Sequence, residues 1–177
     1  MSDFEVEVTL EHSEDFVEAE FLRNAIQRVL SEEGIASARI SLAVVDDAEI
    51  HKVNREFLGH DYPTDVISFL LSDSGNGTEW ESGNTPESGP DQWEEETRPP
   101  GNGDHLDGEL IVSAEMASRT GPLHGWSPRA ELLLYVVHGL LHLCGYDDLT
   151  DDARPVMRSR ERELLALWGY CPTGLET

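Results

Sequence analysis

The chain has 177 residues, 38% of them hydrophobic, and its 36 Asp and Glu against 12 Lys and Arg leave a formal net charge of -24 at pH 7. This length suits one domain with a sizeable core, and no run approaches the roughly 18 apolar residues of a transmembrane helix, which argues against a membrane partner. The acidic balance argues against nucleic-acid binding, since such domains usually show a basic footprint, and two cysteines, Cys144 and Cys171, are too few for a disulfide framework.

Met1-Ser2-Asp3-Phe4-Glu5 has neither the basic region nor the apolar run of a signal peptide, so the expected compartment is the cytoplasm. Phe4, Val6, Val8 and Leu10 then alternate with Glu5, Glu7 and Thr9, the period of a strand with one buried face. Ser13 or Asp15 opens a helix whose stripe is Phe16, Leu22, Ala25, Ile26, Val29 and Leu30, and Gly34 ends it. Arg39 to Val45 reads as a second strand. Asp46 and Glu49 have the spacing of a capping box for a helix carrying Ile50, Val53, Asn54 and Phe57 to Gly59. Val66 to Leu71 is a continuous apolar run, which predicts a strand covered on both faces.

From Ser72 to His105 the chain is dominated by Gly, Ser, Pro, Asn, Glu and Asp without an apolar period, the composition of a disordered or mobile insertion. Leu110 to Val112 resumes the sheet, Ala114 to Arg119 forms a short helix, and Ser127-Pro128 supplies the cap and first turn of a long helix. A last helix runs from about Asp152 to Trp168. The expected fold is α/β (α+β): a single domain over residues 1–177, with a small sheet of about four strands surrounded by helices and an acidic insertion at about 72–105.

The most informative stretch is His138-Gly139-Leu140-Leu141-His142-Leu143-Cys144-Gly145-Tyr146-Asp147-Asp148. Residues four apart on a helix share a face, so His138 and His142 can reach one ion. Gly145 lets the backbone turn out of the helix, which can bring Asp147 or Asp148 to the same point. Two imidazoles and a carboxylate leave room for water, as at catalytic metal sites, whereas structural zinc is closed by four protein ligands. The helix is apolar nearly all round through Tyr135, Val136, Val137, Leu140, Leu141 and Leu143, so imidazoles within it need partners. Gly139 stands where zinc peptidases of the H-E-x-x-H type have their glutamate, and its missing side chain is expected to leave space beside the ion.

This stretch resembles the signature of the YbeY family of metal-dependent endoribonucleases. Asn54-Arg55-Glu56-Phe57-Leu58-Gly59-His60-Asp61-Tyr62-Pro63-Thr64-Asp65-Val66-Ile67-Ser68-Phe69 is similar to the family's other block, and Gly108-Glu109-Leu110-Ile111-Val112-Ser113 to the strand that follows it. The resemblance runs from about Phe4 to Tyr170, apart from the insertion. It implies a mixed four-stranded sheet with five or six helices, and a zinc ion held by His138, His142 and Asp148, the last standing where the family has a third histidine. A second departure is Leu58, at the place of a family arginine; an apolar side chain cannot neutralise a phosphate.

The implied activity is zinc-dependent cleavage of single-stranded RNA in ribosomal RNA processing, at the 3′ end of the small-subunit RNA, and in ribosome quality control. The small ribosomal subunit and its assembly factors are the implied partners. Asp147 and Asp65 are candidates for proton transfer, and Thr64, Ser68 and Arg55 for contact with RNA. Arg154, Arg158, Arg160 and Arg162 cluster after the proposed site, where a local basic patch would offset the acidic total, although Arg158 and Arg162 also have the spacing of a solvated helix face paired with Glu161 or Glu163. Two other classes fit the same residues. One is a binding or assembly factor of this fold with weak catalysis, given Leu58 and Asp148; the other is a non-haem iron oxygenase, whose facial triad is also two histidines and a carboxylate.

Overall fold

A computed structural model of the chain describes residues 3–11, 15–73 and 105–170. Its order is β1 (Asp3–Glu11), α1 (Ala19–Glu32), β2 (Ser37–Val45), α2 (Asp47–Val53) with a π-helical turn (Asn54–Leu58), β3 (Val66–Asp73), β4 (His105–Ser113), α3 (Ala114–Leu123), α4 (Pro128–Leu143) and α5 (Ala153–Leu165) with a 3-10 turn (Ala166–Trp168). The four strands form one mixed sheet in the order β1-β2-β4-β3, the first three parallel and β3 antiparallel to β4. The expected mixed sheet and five helices are therefore present. Among the described residues no helix is long and apolar enough to cross a membrane. The body of the acidic insertion lies outside the described residues.

Strand alternation sends side chains to two cores of unequal size. Ile40, Leu42 and Val44 of β2, with Leu106, Leu110 and Val112 of β4, join the large core beneath α1, α4 and α5. Val45, Ile67 and Ile111 face the other way, against Ile50 of α2. Asp46 caps α2 as its spacing predicts, its carboxylate accepting from the Glu49 amide at 2.9 Å. Such a cap contributes about 1 kcal/mol.

Three boundaries differ from expectation. α1 starts at Ala19, not at Asp15, and Ser13 lies outside the described residues; Glu18 precedes the helix in extended conformation without a side-chain cap, and Phe16 packs on the core from the preceding turn. The helix expected to run to Gly59 changes at Asn54 into a π turn, and Gly59 leaves it at φ 70. β3 is an edge strand, with Leu70 and Leu71 exposed, so its apolar run is not covered throughout.

Candidate metal centre

α4 is built to present its histidines. Ser127 accepts from the Ala130 amide and Pro128 occupies the first turn, so the start of the helix is fixed. Val136, Val137, Leu140 and Leu141 bury the remaining faces completely. His138 and His142 then lie one turn apart with ring centroids 4.6 Å from each other and their Nε2 atoms 3.1 Å apart. Gly145, at φ 100, reverses the chain beyond the helix. The loop so formed brings one Asp148 carboxylate oxygen to 3.6 Å from His138 Nε2 and the other to 3.5 Å from His142 Nε2. Arg154 holds that loop by donating to the Asp148 carbonyl at 3.2 Å.

Hydrogen bonds behind the rings orient them. His138 Nδ1 donates to Glu161 at 2.5 Å, and His142 Nδ1 to the Tyr146 carbonyl at 3.2 Å. Each ring thus turns the lone pair of Nε2 toward Asp148, and three electron-pair donors converge. Such a convergence is repulsive unless a proton or a metal cation lies between them. Zinc–nitrogen bonds of about 2.0–2.1 Å in a tetrahedron space the ligand atoms by about 3.3 Å, close to the separations here. His138, His142 and Asp148 therefore suit a divalent metal ion in donor type and spacing. Burial holds the His142 imidazole below its ordinary pKa and neighbouring His138 adds to that, while Asp148 and the Tyr146 carbonyl oppose it. The neutral, ligating form is favoured.

Asp147, the alternative third ligand, instead accepts from the Leu149 amide at 2.9 Å within the turn. The other candidates lie along the chain before and within β3. Asp65 is exposed and caps the strand, accepting from the Val66 amide at 2.8 Å and from the Thr64 hydroxyl at 3.3 Å. By alternation Ser68 shares the α4-facing side of β3 with Val66, whereas Arg55 is exposed on the π turn. Leu58 is exposed on the same turn.

Two expectations are corrected. Gly139 opens no space beside the histidines: a Cβ there would meet Leu110 Cδ2 at 2.7 Å and Val66 Cγ2 at 3.1 Å. Its missing side chain lets α4 lie close against β3 and β4. Nor do the α5 arginines form a free basic patch. Arg160 pairs with Glu33 and Glu163, Arg158 with Glu161, and Arg154 with Asp151. Arg162 donates to the Arg158 carbonyl.

Two supports go beyond the sequence reading. Glu161 of α5 is fully buried and contacts His138; its signal in the sequence is a carboxylate set in the apolar stripe of Met157, Leu164 and Leu165. Glu33, at the end of α1, accepts from the Tyr146 hydroxyl at 2.9 Å and from Arg160 at 2.6 Å. That clamp ties the turn supporting His142 to two other helices. Burial and the Glu33 contact push the Tyr146 phenol up to about 12.

The sequence model of the family described as Endoribonuclease YbeY matches residues 7–169. The chain belongs to this family. An Endoribonuclease YbeY of Rhodopirellula baltica is 40% identical over 139 residues, covering 77% of this chain and 57% of the relative, so the chain spans little more than half of that protein's length. The Bacillus licheniformis protein of the same name is 36% identical over 149 residues, 84% of both chains. That of Halalkalibacterium halodurans is 32% identical over 161 residues, 91% of this chain and 90% of the relative. A solution structure of a Thermotoga maritima protein superposes with a TM-score of 0.58 at 22% identity, covering 93% of this chain and 89% of the other, a likeness of fold.

Proposed function

We propose that the protein is a metal-dependent endoribonuclease of ribosomal RNA processing that cleaves single-stranded RNA, with the small ribosomal subunit and its assembly factors as partners. The observation that carries this reading is the convergence of His138, His142 and Asp148 in a chain of the YbeY family. These three residues would hold the ion, with zinc the metal suited to this donor set. A bound ion supplies Lewis-acid stabilisation of the charge that develops on a phosphoryl oxygen. The protein contributes position and proton transfer. Ser68 offers a hydroxyl to the RNA backbone from the α4-facing side of β3, Thr64 offers one from the segment before that strand, and Arg55 offers a guanidinium from the π turn. Asp147 and Asp65 are the carboxylates for moving a proton to or from the cleaved bond.

Elemental analysis of purified protein, together with cleavage of a single-stranded RNA with and without chelator, tests the reading. About one transition-metal ion per chain and chelator-sensitive cleavage are expected, with the metal lost in His138→Ala and in His142→Ala. Cleavage that persists without metal would overturn it. A second reading, an assembly factor of this fold with little catalysis, is favoured by exposed Leu58 and by the pairing of Arg154, Arg158 and Arg160 with carboxylates. RNA binding without multiple turnover under excess substrate would select it.

A further inference from the structure

His138 and His142 are supported unequally. The carbonyl behind His142 belongs to the adjoining turn, but the acceptor behind His138 is a carboxylate brought from another helix, 23 residues away. Glu161 is 0% exposed, and burying a carboxylate is costly unless it is paired and hydrogen-bonded. One oxygen lies 2.5 Å from His138 Nδ1 and the other accepts from Arg158 at 3.3 Å. Because Nδ1 and Nε2 lie on opposite sides of the ring, Glu161 sits behind the ligand and outside the convergence of Nε2 atoms and Asp148. A carboxylate in that place fixes the tautomer, restricts ring rotation and makes the imidazole a stronger electron donor.

We infer that Glu161 is a positioning residue for the metal centre: it holds His138 with Nδ1 protonated and Nε2 directed at the ion, while Arg158 secures the carboxylate. This rests on reading His138, His142 and Asp148 as a metal site. A purely structural role, a buried ion pair joining α5 to α4, would give stability without tuning the metal. Glu131 supplies the comparison. It is equally buried on α4, accepting from Trp126 Nε1 at 2.7 Å and His124 Nδ1 at 3.0 Å, but it touches neither histidine of the centre.

The experiment measures zinc affinity by competition with a chromophoric chelator, and cobalt ligand-field spectra, for wild type, Glu161→Gln and Glu131→Gln. Glu161→Gln keeps an oxygen acceptor but loses the charge, so zinc affinity should fall about 10- to 100-fold and the cobalt bands should shift. Glu131→Gln should lower Tm while leaving affinity and spectrum as in wild type. Equal affinity in Glu161→Gln and wild type, or equal losses in both variants, would overturn the assignment alone. Wild type without affinity for zinc or cobalt would overturn the metal centre and the assignment with it. Should Glu161→Gln fail to fold, proton–nitrogen correlation spectra of the histidine rings in zinc-loaded wild type decide: a proton on His138 Nδ1 supports the role, and one on Nε2 refutes it.

Discussion

At the scale of single residues, the third ligand separates two adjacent carboxylates. Asp148 points at both Nε2 atoms, whereas Asp147 is engaged by the Leu149 amide. Asp147→Asn keeps an oxygen for that amide and should leave metal content nearly unchanged, while Asp148→Ala should empty most of the site and Asp148→His should retain it. Metal analysis of the three variants checks this; loss in Asp147→Asn with retention in Asp148→Ala would shift the ligand by one residue. The histidines also make a pH prediction for the metal-free protein. Because the His142 pKa is lowered on folding, the unfolded chain binds the extra proton below about pH 6.5, so stability is full above that value and declines as pH falls. Tm should drop between about pH 7 and about pH 5, and less steeply in His142→Gln; parallel slopes would assign the effect to other groups. Much of the centre was legible because its ligands lie within one helix and its turn. Glu161 was less so: its place among Met157, Leu164 and Leu165 marks a buried carboxylate, but its partner His138 lies 23 residues away on another helix, which no local spacing reveals.

At the scale of elements, the sheet was legible where one face is solvated, as in the alternating residues of β1. The π turn after α2 was less so, because the apolar spacing through Phe57 fits a continued α-helix equally well. Gly139 shows why a residue's place in a motif does not give its role. Read beside the histidines it suggested room for substrate, but helix periodicity turns it toward β3 and β4, where it sets how closely α4 approaches the sheet. Gly139→Ala puts a methyl group against Leu110, itself 0% exposed, and overpacking of this kind costs about 1–3 kcal/mol. Urea denaturation of the metal-free variant should show that loss. Unchanged stability would mean that Leu110 and Val66 yield freely, and that the close packing of α4 does not depend on this glycine.

At the scale of the whole molecule, charge opposes the proposed substrate. The span from Asn76 to Gly103 holds seven acidic residues and one arginine, Arg98, and lies outside the described residues. Its ends are set by the sheet, because Asp73 pairs with Leu106 across antiparallel β3 and β4. Deleting Asn76 to Gly103 leaves Ser74, Gly75, Asp104 and His105 between that pair, a length that suits a hairpin, for which about 2–5 residues are usual. The shortened chain should therefore fold and keep its metal. It should also associate with single-stranded RNA faster than the full chain, because six net negative charges are removed and phosphate is repelled over about one Debye length, about 8 Å at physiological salt. The advantage should be greatest at low ionic strength and fade as salt is added. Association rates measured across a salt series decide it: a shortened chain that loses metal, or binds RNA more slowly at low salt, would make the insertion a working part of the site.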